Sequence, residues 1–206
     1  CADTDGDIMI YEIINPTEHH LRWTTRLPVG NTYILTSGDF DGDGNKDFFV
    51  AGYNTDITNP NLSFWYGEGF RNTGNNTYSS MGNIMFNEVS TLNSITNADL
   101  DKDGCNEIIL AITPNLYILK YSNGNFTPVY YDESYRNYQV VTLEDENGAV
   151  RIMANIHSDG DNAVSAQWIP SASFTGPATP ANLTVKPLNE NSINISWIST
   201  GAPEYV

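Results

Sequence analysis

Short runs of strand-forming residues alternate with turn signals along almost the whole chain. The clearest runs follow two acidic loops, where DFFVAGY begins at Asp47 and EIILAI begins at Glu107. Val, Ile, Tyr, Phe and Thr are plentiful in the runs, and these residues favour strands over helices. Turn-forming dipeptides separate the runs: Asn59-Pro60, Gly74-Asn75, Asn123-Gly124 and Asn147-Gly148. The pattern predicts an all-β protein built from short antiparallel strands.

The runs between the loops are spaced so that each repeat holds three to four strands. Predicted strands include residues 32–36, 62–66, 116–121, 129–131, 138–143, 150–157 and 163–169. Four-stranded antiparallel sheets at this spacing are typical of β-propeller blades. Residues 67–86 are expected either to lie on a propeller face or to form an extended hairpin, with Tyr66, Phe70 and Tyr78 exposed.

Charge is concentrated in the loops. The 206 residues include 25 acidic and nine basic side chains, for a net charge of −16. Eleven of the acids lie in three clusters: Asp3, Asp5 and Asp7; Asp39, Asp41, Asp43 and Asp47; and Asp99, Asp101, Asp103 and Glu107. The remaining 14 acids and nine bases form an ordinary surface. The charge therefore favours cations as partners and argues against nucleic acid, which needs Lys and Arg patches. No apolar stretch approaches the roughly 20 residues of a transmembrane span.

The acidic loops repeat one spacing of oxygen-bearing residues. Counted from the first aspartate, positions 1, 3, 5, 7 and 9 hold Asp39, Asp41, Asp43, Asn45 and Asp47 in one copy, and Asp99, Asp101, Asp103, Cys105 and Glu107 in another. A first copy at Asp3, Asp5 and Asp7 departs from the pattern, with Tyr11 at position 9. A fourth copy, within residues 140–157, has a shortened loop containing Glu144 and Glu146.

This spacing suits a calcium ion. Carboxylates at alternate positions of a tight turn can converge on one point, and calcium prefers six to eight oxygen ligands. Glycine at position 6, Gly44 or Gly104, permits the sharp bend. An EF-hand is excluded because position 12 is Val50 or Leu110 in a β run, where that loop needs a Glu and flanking helices. The alternative is a set of acidic turns without an ion; two full copies, each followed by a β run, favour the ion.

The segments GDFDGDGNKDFFVAG and ADLDKDGCNEIILAI resemble FG-GAP repeats, also called VCBS repeats, of integrin-type β-propellers. The resemblance implies that each loop bridges two strands of a blade and binds calcium. It covers Asp39, Asp41, Asp43, Asn45 and Asp47, and Asp99, Asp101, Asp103, Cys105 and Glu107. The fourth copy is expected to be a blade without an ion.

The C-terminal segment PATPANLTVKPLNENSINISWIST is similar to the start of a fibronectin type III domain, with Trp197 as its core tryptophan. The expected division is propeller blades at residues 1–170, a linker at 171–181 rich in proline and small residues, and the N-terminal part of the fibronectin type III sandwich at 182–206. Because both domains are partial, the chain is expected to belong to a larger multidomain protein. The alternative is a self-contained four-bladed unit.

No catalytic motif is recognisable in the sequence. The resemblance therefore implies a bacterial, secreted or cell-surface module, non-enzymatic, whose calcium-stabilised propeller binds an extracellular protein or polysaccharide and serves adhesion. Two alternatives remain: the propeller of a polysaccharide lyase of the rhamnogalacturonan-lyase type, and a structural subunit of an extracellular filament or coat.

Overall fold

The fold was analysed on a computed structural model, which describes residues 5–54, 63–87, 93–132, 136–158, 161–170, 181–189 and 192–198. Within these residues the chain forms fifteen β-strands and no helix, and every strand pair is antiparallel. This confirms the all-β prediction. None of the described segments is a helix that could cross a membrane.

The described residues form five sheets, which are numbered in chain order. The second and third, at the centre, are four-stranded meanders. The second sheet contains β3 (Thr32–Gly38), β4 (Asp47–Asn54), β5 (Phe64–Gly74) and β6 (Thr77–Phe86), in that order. The third sheet contains β7 (Asn93–Ala98), β8 (Glu107–Ile112), β9 (Asn115–Ser122) and β10 (Asn125–Asp132), also in that order. Each acidic loop joins the first strand of its sheet to the second. Residues 67–86 lie mostly in the β5–β6 hairpin, which confirms the extended-hairpin alternative.

Three smaller sheets complete the strand order. The first sheet pairs β1 (Asp7–Asn15) with β2 (Glu18–Arg26). The fourth sheet contains β11 (Arg136–Glu144), β12 (Val150–Ser158) and β13 (Asp161–Pro170). The fifth sheet pairs β14 (Ala181–Asn189) with β15 (Ser192–Ile198). The proposed linker lies almost entirely outside the described residues, and its last residue, Ala181, begins β14.

The second strand of each meander is apolar on both faces because its sheet is covered on both sides. All six residues of β8 are buried, although successive side chains of a strand point to opposite faces. Ile108, Leu110 and Ile112 pack against the second sheet, whereas Ile109 and Ala111 pack toward the fourth. β4 behaves in the same way, with Phe49 facing the third sheet and Phe48 facing the first. The sheets therefore stack face to face.

An aromatic cluster joins the first sheet to the second and corrects one expectation. Phe70 was expected to be exposed, but it is 4% exposed and lies with its ring centroid 5.3 Å from that of Trp23 and 5.0 Å from that of Phe48. Tyr66 and Tyr78, also expected to be exposed, are half-buried against the same cluster, and the ring centroid of Tyr78 lies 5.4 Å from that of Trp23. The expectation was wrong because Trp23, a strand residue of the preceding sheet, covers this face of β5.

The first strands of successive sheets lie side by side and are joined by polar side chains. β3 contacts β7, and β7 contacts β11. Asn97 on β7 donates to the carbonyl oxygen of Ser37 at 3.1 Å and to the hydroxyl of Thr36. Ser94 on β7 accepts from the backbone N–H of Val140 on β11 at 3.2 Å. These bonds fix the edge of the stack from which the acidic loops emerge.

Candidate functional site: two acidic loops

The two acidic loops have the same backbone path. The glycines at position 6, Gly44 and Gly104, have φ values of 83° and 93°, in the left-handed region that side chains with a Cβ rarely adopt. This confirms the role predicted for glycine there. In both loops the first aspartate accepts N–H bonds from the turn: Gly44 donates to Asp39 at 2.8 Å and Gly104 donates to Asp99 at 3.0 Å. The same sequence pattern therefore produces the same turn twice.

In the first of these loops three carboxylates converge. Ligand atoms of Asp39, Asp41 and Asp43 all lie within 4.8 Å of one another. Asp43 accepts an N–H from Asn45 at 2.8 Å, and this bond is the main reason that the pKa of Asp43 is lowered. Arg71 on β5 forms an ion pair with Asp41. Asn45 contributes its backbone N–H to this loop.

The acid at position 9 of this loop, Asp47, is buried and fully engaged with backbone. It is 1% exposed, and its two oxygens accept N–H bonds from Phe40 at 3.2 Å and Asn72 at 2.9 Å. Burial raises the pKa of Asp47 despite these two bonds. The carboxylate thereby ties the loop to the β5 strand, and the first three aspartates form the convergent group.

In the second loop the acid at position 9 reaches the convergent group. Ligand atoms of Asp99, Asp101 and Glu107 all lie within 4.8 Å of one another. Oε2 of Glu107 accepts the Leu100 N–H at 2.8 Å, while its buried Oε1 lies 3.0 Å from the ammonium of Lys120. Glutamate is one methylene longer than the aspartate at the matching position, so its carboxylate reaches the convergent group, which Asp47 does not join.

Lys120 on β9 brings a positive charge to this second group. Its ammonium forms ion pairs with Asp101, with Asp103 at 2.8 Å and with Glu107 Oε1 at 3.0 Å. Burial alone would lower the pKa of Lys120, but hydrogen bonds from the ammonium to the three carboxylates outweigh it and raise the pKa. Burial raises the pKa of Glu107 as well, and the hydrogen bonds from Leu100 and Lys120 offset this effect only in part.

The other predicted site residues are placed differently. Cys105 is a free, half-buried thiol whose pKa is raised to about 11 by burial and by nearby Asp103. Asp7 begins β1 and lies 3.7 Å from Arg26, and neither Asp7 nor the exposed Asp5 belongs to the two convergent groups formed by the described residues. Asp3 lies outside the described residues.

The fourth copy is a short turn organised by a residue that the sequence interpretation passed over. Asp145, between Glu144 and Glu146, accepts N–H bonds from Asn147 at 2.9 Å and Ala149 at 3.0 Å. These bonds, together with the nearby guanidinium of Arg151, lower the pKa of Asp145. A single carboxylate here performs the turn-closing role that several share in the longer loops.

The two long loops touch each other across the stack. Asn106 donates its backbone N–H to the carbonyl of Asp39 at 2.6 Å, and its side chain donates to Asn97 at 2.8 Å. A shallow groove runs along this junction. Its lining combines charge, a thiol and an aromatic ring, from Asp41, Gly42, Asp43, Arg71, Cys105, Tyr121, Ser122, Asn123 and Gly124.

The two basic residues were missed because they lie far from the loops in sequence. Arg71 is 30 positions beyond Asp41, and Lys120 is 13 beyond Glu107. Strand pairing would have revealed both residues. Phe48 pairs with Phe70, so Arg71 lies beside Asp47. Ile108 pairs with Leu119, so Lys120 lies beside Glu107.

Comparison with known protein families supports the repeat. The family described as FG-GAP-like repeat matches residues 39–110, a segment that begins at the first aspartate of one loop and ends in the strand behind the other. Comparison with curated proteins gives no match. FG-GAP repeats are typical of extracellular proteins. Residues 39–110 thus match the FG-GAP-like repeat, and both convergent acidic groups lie within the matched segment.

Proposed function

We propose that each of the two acidic loops holds a calcium ion, which stabilises the β-sheet that contains it. The observation that carries this proposal is the repetition of one geometry. In two stacked four-stranded sheets, at the same connection, three carboxylates lie with ligand atoms within 4.8 Å of one another. Like charges at such distances repel, and a divalent cation would remove that repulsion.

The residues present fit a hard cation. Every donor in the two convergent groups is a carboxylate oxygen, the ligand type that calcium prefers. The buried Oε1 of Glu107 already faces a cation, the ammonium of Lys120 at 3.0 Å, so this oxygen suits a positively charged ligand. Asp39, Asp41 and Asp43 would hold one ion, and Asp99, Asp101, Asp103 and Glu107 the other. The ion supplies charge neutralisation and cross-linking, while Asp47 and Glu107 hold the loop to the β-strands.

Calcium binding to the folded state should raise thermal stability by linkage. We expect a chelator to lower the melting temperature by several degrees, calcium to restore it, and magnesium to restore it poorly. Asp41→Asn is the informative variant because it weakens one convergent group while keeping side-chain size. Asp145→Asn is its matched control, since Asp145 lies in the short turn. A melting temperature unchanged by chelator in the unmutated protein would contradict the proposal.

At the level of the whole chain, we propose a secreted or cell-surface β-propeller module that binds an extracellular protein or polysaccharide without turning it over, followed by the start of a fibronectin type III domain. The stacked four-stranded meanders and the FG-GAP-like repeat support this proposal. The groove between the loops offers carboxylates, Arg71 and Tyr121 to a polar ligand.

The binding proposal has a direct test. Calcium-loaded protein would be applied to arrays of extracellular polysaccharides and matrix proteins, with chelated protein as the control. We expect calcium-dependent retention on at least one ligand class and no change in the ligand's chain length. Cleavage of a polysaccharide into unsaturated fragments would contradict the non-enzymatic role and favour a lyase.

A further inference from the structure

Each of the two repeats places a basic side chain beside its acidic loop, at the same position of the third strand. Arg71 follows Phe70, the partner of Phe48, and Lys120 follows Leu119, the partner of Ile108. The two basic residues nevertheless engage their loops differently. Among the described residues, the ion pairs of Arg71 involve Asp41, whereas those of Lys120 involve three carboxylates.

The ammonium of Lys120 contacts three of the four acids of its loop. It approaches Asp101, Asp103 and Glu107, at 3.0 Å or less in every case. Two of these, Asp101 and Glu107, belong to the convergent group, and Glu107 is 1% exposed with its Oε1 3.0 Å from the ammonium. An ammonium in contact with three carboxylates occupies the space in which a cation would bind.

In the other loop the corresponding space is less obstructed. The Arg71 side chain is 41% exposed, and among the described residues its ion pairs involve one of the three aspartates, Asp41. Asp47, the counterpart of Glu107, has both oxygens occupied by backbone N–H groups and so leaves Asp39, Asp41 and Asp43 to a cation. The difference between the two loops therefore follows from an aspartate–arginine pair in one and a glutamate–lysine pair in the other.

We propose that Lys120 is a tethered counter-cation that competes with calcium in the second loop. The ammonium neutralises part of the acidic group when no divalent ion is bound, and it must leave the group when calcium enters. The second loop is consequently the weaker calcium site, and its fold depends less on the ion than that of the first. This inference rests on the proposed calcium binding and adds a residue that sets the relative affinity of the two sites.

The test is a calcium titration by isothermal calorimetry on four proteins: the unmutated chain, Lys120→Met, Lys102→Met and Asp41→Asn. Methionine keeps the apolar stem of lysine and removes its charge. Lys102 is the matched control because it is an exposed lysine of the same loop that forms none of the ion pairs found among the described residues. Melting temperature in chelator is measured on the same four proteins.

Lys120→Met should raise the calcium affinity of one site by about tenfold or more, because a unit charge within a few ångströms of a divalent ion interacts strongly with it. The same substitution should lower the melting temperature in chelator more than Lys102→Met does. If Lys120→Met unfolds in chelator, calcium should refold it, since the ion replaces the lost charge.

Each remaining outcome contradicts the inference in a recognisable way. If the titrations of Lys120→Met and Lys102→Met both superimpose on that of the unmutated chain, the proposed role of Lys120 is refuted. If Asp41→Asn loses one site in the same experiment, the proposal that the loops bind calcium still stands. If the Lys120→Met protein stays unfolded even in excess calcium, the lysine is needed for folding and does not act as a replaceable counter-cation. An absence of binding in all four proteins would refute the proposed calcium sites themselves.

Discussion

Face-to-face stacking of the second and third sheets makes a sharp prediction at Gly69. This residue lies in β5, and a methyl group added there would stand 2.4 Å from Cε2 and Cζ of Phe126, a β10 residue of the neighbouring sheet. Carbon atoms in contact normally lie about 3.5–4.0 Å apart, so the ring would have to move by about 1 Å. Phe126 is buried and packs on Phe49, with ring centroids 5.1 Å apart, which restricts that movement.

We therefore expect Gly69→Ala to destabilise the protein by about 1–3 kcal/mol, the usual cost of overpacking a core. Phe126→Leu removes the two atoms that clash and should cost about 1–2 kcal/mol on its own. In the Phe126→Leu background the Gly69→Ala substitution should cost less than about 0.5 kcal/mol. The two sites are thus coupled by about 1–2 kcal/mol, as expected for side chains in direct contact.

The assay is urea denaturation followed by tryptophan fluorescence, in saturating calcium, on the four members of this double-mutant cycle. Trp65 is fully buried in the same core cluster and reports on the interface between the two sheets. A cost of Gly69→Ala that is equal in both backgrounds would refute the contact, and with it the packing of β10 over β5.

Three further predictions concern the loops and turns. Asp47→Asn should lower the free energy of unfolding in urea by about 2 kcal/mol. The carboxylate accepts two backbone N–H groups, and the amide nitrogen of asparagine would face one of them without being able to accept its hydrogen bond. An unchanged midpoint would contradict this. Asn97→Ala should cost about 1–3 kcal/mol by removing the acceptor of Asn106 and the donor to the neighbouring sheet, whereas stability within error of the unmutated protein would argue against that bridge. Folding lowers the pKa of Asp145, so this carboxylate adds stability at pH values above its ordinary pKa of 3.8. That stability is lost as the pH falls through the folded-state pKa. Asp145→Asn should therefore melt lower than the unmutated protein at neutral pH, with a gap that closes below about pH 3.8, and a gap independent of pH would count against the pairing with Arg151.

Strands and loop geometry were predictable where short-range chemistry decides them. The run Glu107–Ile112 is apolar at successive positions because its sheet is covered on both faces, and such a run is recognisable without knowing what covers it. The glycines at position 6 were predictable because the turn requires a positive φ, which Gly44 and Gly104 adopt. These features depend on neighbours within about ten residues.

Features that depend on sheet stacking or strand register were missed. The burial of Phe70 depends on Trp23, which belongs to another sheet. Lys120 reaches Glu107 only because the β8–β9 hairpin places them side by side, and counting back from the turn at Asn115 would have revealed the pair. The choice of Asp145 over Glu144 and Glu146 depended on which side chain is short enough to accept the N–H groups of its own turn.

The central proposal is that both acidic loops of the segment that matches the FG-GAP-like repeat, residues 39–110, hold calcium. Anomalous diffraction from crystals grown in calcium tests it most directly. We predict one anomalous peak among Asp39, Asp41 and Asp43, and a second among Asp99, Asp101 and Glu107, with the ammonium of Lys120 displaced from the second group. Density for Lys120 among its three carboxylates, with no anomalous peak in either loop, would contradict the claim.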